Sequence, residues 1–147
     1  MIFENELISG TLIKRYKRFF VDIKVKNKVI TAHCPNTGSM MGLLKKGNKV
    51  WLTKSNDIKR KLKYTLQIIE VNGSKIGVNT HLTNKIFYES LLNGNIINLK
   101  KTDILFKEKQ FNKNTRFDFF IKQKNKGIFI EVKNVTLSRF KNVAEFP

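Results

Sequence analysis

Short segments in which apolar and polar residues alternate follow one another from Leu7 to Val78, and this pattern constrains the fold more than any other feature. In the segment FVDIKV, for example, every second residue is a β-branched aliphatic one. Such alternation is typical of strands with one buried face, and turn-forming sequences such as PNTG and VNGSK separate the segments. Five or six strands within about 75 residues predict a small closed β-barrel, either OB-like or SH3-like. The six segments read GTLIKR, FFVDIKV, KVITAH, KVWLT, YTLQIIEV and KIGVN.

The spacing of apolar residues along the sequence changes after Asn79. The segment THLTNKIFYESLLNG predicts a helix with Thr80 or Thr83 as its cap and Gly94 after its end. Apolar residues on two opposite sides predict a helix buried between two layers, with Glu89 facing inward. Three strand-like segments follow, DILFKEK, RFDFFIK and GIFIEVKNVTL, with no further helix to cover their sheet.

The predicted fold class is therefore α+β. It has a small barrel, OB-like or SH3-like, over residues 1–79 and a second, partial α/β domain over residues 80–147. Because that sheet lacks a covering helix, we expect one of its faces to be exposed and the domain to be truncated at its C-terminus.

Charge favours a polyanionic partner. The chain has 29 Lys and Arg against 11 Asp and Glu, a net charge of +18. Nucleic acid is the favoured partner; the alternative is that codon bias has coated the surface with lysine. No long basic amphipathic helix, membrane-spanning run or signal peptide is evident, and Cys34 is the single cysteine. These features predict a cytoplasmic protein without a membrane partner.

The last two segments predict a hairpin with its turn at Lys124 and Asn125. In that register Asp118 faces Glu131, although like charges opposite each other destabilise a sheet. A divalent cation, Mg²⁺ or Mn²⁺, bound between the carboxylates would offset the repulsion.

Lys133 lies two residues after Glu131 and would share its face. Asp118, Glu131 and Lys133 are the residue types that metal-dependent phosphodiester cleavage needs, with the lysine acting on phosphate or water. The alternative is an exposed sheet face on which the three charges pair with one another.

A basic segment with interleaved aromatics, Lys14 to Phe20, predicts a nucleic-acid contact, because aromatics stack on bases while cations bind phosphates. The alternative is an exposed strand edge, with Phe19 or Phe20 buried. A second basic segment begins at Ile58. The candidate contacts are Lys14, Arg15, Tyr16, Lys17, Arg18, Lys59, Arg60 and Lys61.

The segment HCPNTG places His33 next to Cys34, but neighbouring strand residues point to opposite faces and do not bind one ion together. Pro35, Asn36 and Gly38 favour a turn whose backbone amides meet phosphate. We therefore predict a structural loop and not a nucleophilic cysteine.

The segments TLIKRYKRFFVDI, HCPNTGSMMG, VNTHLTNKI, RFDFFI and EVKNVTL together resemble the sugar fermentation stimulation protein family. This resemblance implies an OB-fold domain followed by a PD-(D/E)XK nuclease domain, DNA binding and a link to regulation of sugar utilisation. It also implies that Asp118, Glu131 and Lys133 match the nuclease motif. Glu89 would match the glutamate of the preceding helix, and Glu108 is a second acidic candidate.

Three functions follow as alternatives. The first is a DNA-binding protein with a metal-dependent nuclease domain. The second is a DNA-binding regulator without catalysis, and the third is an RNA-binding accessory factor that uses the OB barrel. The third leaves the three charges of the hairpin without a function.

Overall fold

The computed structural model describes residues 1–99, 104–137, 139–140 and 143–145. The chain divides into two compact units. The barrel unit contains Ile2–Thr80 and the described residues from Asn134 onward, whereas Met1 and His81–Lys133 form the second unit.

Six antiparallel strands build most of the barrel unit, in the order β3-β2-β1-β4-β5-β6. A single parallel pairing, His33 with Thr65, joins β3 to β5 and closes five of the strands into a barrel. Of the two barrels that the alternating segments predict, this is the OB-like one, as the family resemblance implies. The strands are β1 (Ile8–Tyr16), β2 (Phe20–Val25), β3 (Lys28–His33), β4 (Lys49–Lys54), β5 (Tyr64–Val71) and β6 (Ser74–Gly77).

The barrel core consists of the aliphatic residues that alternate along these strands. Leu12, Ile23 and Leu52 are fully buried, and each stands between residues that are more exposed, whereas the fully buried Leu66 has buried polar neighbours in Thr65 and Gln67. Gly10 lies where two strands approach closely, since an added Cβ would stand 2.6 Å from Ile23 Cγ2 and 2.9 Å from the Lys24 carbonyl oxygen. The alternation thus fixes which side chains remain for function on the outer face.

The second unit consists of a helix and a three-stranded sheet. Its elements are α1 (Thr83–Leu92), β7 (Ile104–Asn112), β8 (Thr115–Gln123) and β9 (Lys126–Ile130). Phe87 of α1 contacts Phe119 of β8, with ring centres 4.8 Å apart, and Leu91 is buried. Ile86 is 45% exposed, so the prediction that two layers would bury the helix is wrong. Asp103, predicted to begin the first strand, lies outside the described residues.

The β8–β9 hairpin has the predicted register. Gln123 pairs with Lys126 across a two-residue turn, and Phe120 pairs with Phe129. The predicted length of β9 is wrong, because the strand ends at Ile130. The Val132 N–H donates instead to the Asp118 side chain, so Glu131 and Lys133 follow the strand and do not continue it.

One face of this sheet carries contacting phenylalanine rings. The Phe120 and Phe129 ring centres are 4.6 Å apart, and Phe111 and Phe129 meet edge to face at 5.0 Å. Phe106 is 42% exposed and Phe111 59% exposed. The expectation of an exposed sheet face is confirmed.

Candidate functional site

An aromatic pair lies on the outer face of the barrel where β1 meets β2. The rings of Tyr16 and Phe20 stack with centres 5.5 Å apart and planes inclined by 15°. The two residues face each other in the ladder and are half-buried. The sequence prediction that Phe19 or Phe20 is a core residue is wrong, because the inward positions belong to Val21 and Ile23 and Phe19 is 45% exposed. The pair presents an apolar surface on which a flat ring can stack.

Hydrogen bonds hold Tyr16 in place. Its hydroxyl donates to Asp22 Oδ1 over 3.2 Å, and the Thr31 hydroxyl donates to the same oxygen over 2.7 Å. Lys14 Nζ lies 3.9 Å from Asp22 Oδ2 and 5.4 Å from the centre of the Tyr16 ring. Asp22 therefore fixes the tyrosine and attracts the lysine ammonium to the edge of the aromatic pair.

The turn between β1 and β2 consists of three residues, Lys17, Arg18 and Phe19, of which the first two are basic. Both basic residues are exposed and both have positive φ, 47° and 61°. Three-residue loops are common hairpin connections, and they include a residue in the left-handed region. The turn thus extends two cations beyond the aromatic pair.

Arg15 is hydrogen-bonded to backbone carbonyl groups of the barrel unit. Its guanidinium donates to the carbonyl oxygens of Asn36, Gly38 and Ser39, at distances of 2.6 to 3.3 Å, and its Nε donates to the Arg18 carbonyl oxygen at 2.9 Å. It cross-links the β1–β2 turn to the loop after β3, and these contacts engage the fork that would otherwise bind phosphate.

The second basic segment lies in the loop between β4 and β5. Lys59 and Lys61 are exposed, whereas Arg60 is half-buried and donates to the Thr65 hydroxyl over 2.7 Å. Thr65 pairs with His33, and His33 pairs with Phe20, so this loop adjoins the end of the face that carries the aromatic pair.

The segment HCPNTG forms the predicted loop. The Asn36 side chain accepts from the Gly38 N–H at 2.9 Å and donates to the Thr136 hydroxyl at 2.9 Å. Burial raises the pKa of the Cys34 thiol, which lies 3.7 Å from Met40 Sδ in the core. A buried thiol with a raised pKa is a poor nucleophile, which agrees with the predicted structural loop.

In the second unit, Asp118 of β8 is held at both carboxylate oxygens. Asn84 Nδ2 donates to Oδ1 and the Val132 N–H donates to Oδ2, each over 2.8 Å. Glu131 follows the end of β9, next to Ile130, which pairs with Phe119. The segment after β9 therefore lies next to Asp118, as the sequence predicts.

The other predicted site residues have partners of their own. Lys133 Nζ contacts Glu131 Oε1 in an exposed ion pair, as the alternative interpretation of the hairpin expects. Glu89 Oε2 lies 3.3 Å from the Met1 amino group and does not face inward. Glu108 lies on β7 between Lys107 and Lys109, which pair with Phe119 and Phe117, and its φ is 51°.

Two site residues escaped the sequence analysis, Asn84 and Thr31. Asn84 lies three residues before Phe87 and seven before Leu91, so it is a polar residue on the apolar face of the helix. This spacing in the sequence could have identified it as a candidate site residue. Thr31 faces Asp22 across the β2–β3 ladder, and only the register reveals this contact.

The donor chemistry at Asp118 and Glu131 suits a hard cation. The described residues contain no group of three or more His, Cys, Asp or Glu side chains placed to hold a metal ion. Mg²⁺ is commonly bound through one or two carboxylates with water as its remaining ligands. Asp118 and Glu131 supply two such carboxylates; in this structure Glu131 contacts Lys133, and both Asp118 oxygens accept hydrogen bonds.

A five-stranded OB-type barrel, followed by a helix and an antiparallel sheet, defines the class of protein. The family model of the SfsA N-terminal OB domain matches residues 13–78, and that of the sugar fermentation stimulation protein RE domain matches residues 81–147. The chain belongs to the sugar fermentation stimulation protein family.

Two relatives carry the name sugar fermentation stimulation protein homolog. The protein of Pelagibacter ubique (strain HTCC1062) is 53% identical over 147 residues, covering 100% of this chain and 63% of that protein. The Synechocystis protein is 44% identical over 146 residues, covering 96% of this chain and 61% of that protein. The chain thus spans about three fifths of the length of these relatives.

A solved structure, that of Pyrococcus furiosus SfsA in complex with Ca²⁺, shares the fold. It aligns with a TM-score of 0.73 at 22% identity, over 89% of this chain and 55% of the other. Within the part of the chain that the structure describes, no helix is long and apolar enough to cross a membrane.

Proposed function

We propose that this chain binds DNA through the outer face of the barrel where β1, β2 and β3 meet, and that its second unit is a metal-dependent nuclease-like domain. The observation that carries the proposal is the stacked pair of Tyr16 and Phe20 on the surface of an OB-type barrel, with basic turns on either side. OB barrels bind oligonucleotides on the β2–β3 face and with the loops after strands 1 and 4.

The charges on this face suit a polyanion. Lys17 and Arg18 in the β1–β2 turn, and Lys59 and Lys61 in the β4–β5 loop, are exposed. They supply phosphate contacts, which position a nucleic acid without reading its sequence. Arg15 acts differently, because its contacts with four carbonyl oxygens shape the turn that presents the exposed cations.

The nuclease-like assignment rests on Asp118, Glu131 and Lys133. Asp118 and Glu131 would hold Mg²⁺ or Mn²⁺, and the Pyrococcus furiosus relative is described in complex with Ca²⁺, another cation that prefers oxygen ligands. A bound ion would lower the pKa of a coordinated water. Asn84 orients the Asp118 carboxylate through its 2.8 Å hydrogen bond, and the Lys133 ammonium neutralises phosphate charge once it leaves Glu131.

Two alternatives use the same barrel face. A DNA-binding regulator without catalysis would retain the Glu131–Lys133 ion pair as a structural contact. An RNA-binding accessory factor would use the aromatic pair for RNA bases. The positive charge and the barrel fold suit all three functions. Only metal-dependent cutting by the second unit distinguishes the nuclease from the regulator and the RNA-binding factor.

The deciding experiment incubates the full chain with supercoiled, linear and single-stranded DNA in the presence of Mg²⁺, Mn²⁺ or EDTA. We expect metal-dependent cutting that Lys133→Ala abolishes, with the thermal stability changed by less than about 1 kcal/mol, because exposed ion pairs contribute little. Asp118→Asn should also abolish cutting. It should destabilise the second unit by about 1 to 3 kcal/mol, because an amide cannot accept from both Asn84 and Val132.

Arg116→Ala serves as the matched control for Lys133→Ala, since it removes one exposed cation from the same unit. Cutting that survives Lys133→Ala or EDTA would reject the assignment of this site. DNA binding without any metal-dependent cutting would leave the regulator. A preference for RNA over DNA of the same sequence would favour the accessory factor.

A further inference from the structure

The barrel carries a second aromatic group, remote in the sheet from the face described above. Trp51 lies on β4, between Val50 and Leu52, which are fully buried, so its side chain is on the outer face. The Lys49 ammonium lies 5.2 Å from the centre of the tryptophan rings and the Lys75 ammonium 5.1 Å. One half-buried indole is therefore flanked by two exposed cations from different strands.

The strand order separates this Lys–Trp–Lys cluster from the aromatic pair. Trp51 is paired with Ser9 of β1 and with Ile68 of β5, whereas Tyr16 lies at the far end of β1 beside β2. Gly77 of β6, which faces Ile68, has no heavy atom within 4 Å of an added Cβ. The neighbourhood of the indole is thus open on the β6 side.

The charges of the cluster extend across the sheet. Thr11 pairs with Lys24 on one side and with Lys49 on the other, and all three residues are exposed. Lys75 faces Glu70, the one carboxylate among these paired positions. Neighbouring strands are about 4.8 Å apart, so Lys24 and Lys49, on either side of β1, stand about 10 Å apart in a row that crosses the strands.

We propose that the Lys–Trp–Lys cluster is a second contact site for DNA, specific for single strands: an unpaired base stacks on Trp51 while Lys49 and Lys75 bind the phosphates on its two sides. Indole is a strong stacking surface for bases, and stacking needs a base that is free of its complement. The inference rests on the proposed DNA binding and adds the strand state of the DNA.

The competing explanation is that the lysines only stabilise the barrel through cation–π contacts with the indole. That explanation predicts that the ring stays covered by the ammonium groups when DNA binds. The two explanations differ in a direct observable, because Trp51 is the single tryptophan of the chain and its fluorescence reports on its own environment.

The test titrates the unmodified full chain at low salt with the single strand (dT)12, with a 12-base-pair duplex, and with an abasic 12-mer that keeps the phosphates. We expect (dT)12 to quench the Trp51 emission, and the duplex and the abasic strand to leave it unquenched while they bind. Fluorescence anisotropy of labelled DNA measures binding independently. Saturated binding of (dT)12 with unchanged emission would overturn the inference and leave DNA binding by the other face intact.

Variants provide the second measurement. Trp51→Leu should weaken binding of (dT)12 by roughly tenfold to a hundredfold, and should change duplex binding less than about twofold. The double variant Lys49→Ala/Lys75→Ala should reduce the salt slope for the single strand by about 1.4, at roughly 0.7 per phosphate. The matched control, Lys45→Ala/Lys46→Ala, removes two exposed cations that make no ring contact with Trp51.

The control should bind (dT)12 more weakly than the unmodified chain by electrostatics alone, and should retain the full quenching of Trp51. Equal effects of Trp51→Leu on single-stranded and duplex DNA would contradict the specificity for single strands. Failure of every DNA to bind at low salt would overturn the inference together with the proposed function.

Discussion

At the scale of single residues, burial determines the chemistry of Cys34. The side chain is fully buried, and desolvation raises the pKa of its thiol despite the opposing attraction of Arg15. A carbonyl oxygen, that of Asn36, lies 3.9 Å from the sulfur. Cys34 is therefore a small core side chain that fills the space beside Met40 and keeps its proton at neutral pH.

The raised pKa of Cys34 predicts a loss of stability at alkaline pH. The unfolded chain loses the thiol proton near a pH of about 8.5, whereas the folded chain retains it to higher pH. The contribution of Cys34 to the free energy of unfolding is thus complete below that pH. It falls as the pH rises through the interval up to the folded pKa, by at most about 1.4 kcal/mol per pH unit.

Urea unfolding at pH 7.5 and pH 9.5 measures this effect, with Cys34→Ala as the comparison. The parent should lose more stability between the two pH values than the variant, because the variant lacks the thiol. Equal losses would show that the Cys34 thiol does not contribute to the alkaline decline.

At the scale of elements, the loop after β3 depends on one side chain from β1. Arg15 donates to the carbonyl oxygens of Asn36, Gly38 and Ser39. Arg15→Lys keeps the charge but not the planar fork, so carbonyl groups in the loop lose their donors. We expect the barrel to lose about 1 to 3 kcal/mol, measured by urea unfolding through the fluorescence of Trp51.

Lys17→Ala is the control for Arg15→Lys, because Lys17 is exposed in the adjacent turn and its removal should change stability by less than about 0.5 kcal/mol. Hydrogen exchange should show faster exchange of amides 36–40 in Arg15→Lys than in the parent. An unchanged stability, with weaker DNA binding, would assign Arg15 to phosphate contact as the basic segment predicts.

Local patterns sufficed to predict the strands, the helix and the β8–β9 turn, because alternation and turn residues act within a few positions. The environment of Arg15 was not predictable in this way. Three of its four acceptors are backbone carbonyl groups more than 20 residues away, and these have no signature in the sequence. The same holds for the end of β9, where the Asp118 side chain and not a strand partner accepts from the Val132 N–H.

At the scale of the whole molecule, the net charge of +18 decides how binding responds to salt. Charge of this size raises the local concentration of any polyanion and acts without regard to sequence. Both candidate contact surfaces of the barrel contain part of this positive charge. One has the basic turns beside Tyr16, and the other has the lysines beside Trp51. If the second surface accepts only single strands, as proposed above, duplex DNA isolates the contribution of the first.

The last prediction follows from that separation. If Lys14, Lys17, Arg18, Lys59 and Lys61 each neutralise one phosphate of duplex DNA, log K should fall with log[salt] at a slope of about −4.5, and affinity should drop roughly 500-fold between 50 mM and 200 mM salt. The triple variant Lys14→Ala/Lys17→Ala/Arg18→Ala should reduce the slope to about −1.8 on every duplex sequence tested, because phosphate contacts are sequence-independent. Anisotropy titrations at four salt concentrations measure both slopes. A flat salt dependence would refute electrostatic binding by this face, and a loss confined to one sequence would indicate direct contacts with base edges in its place.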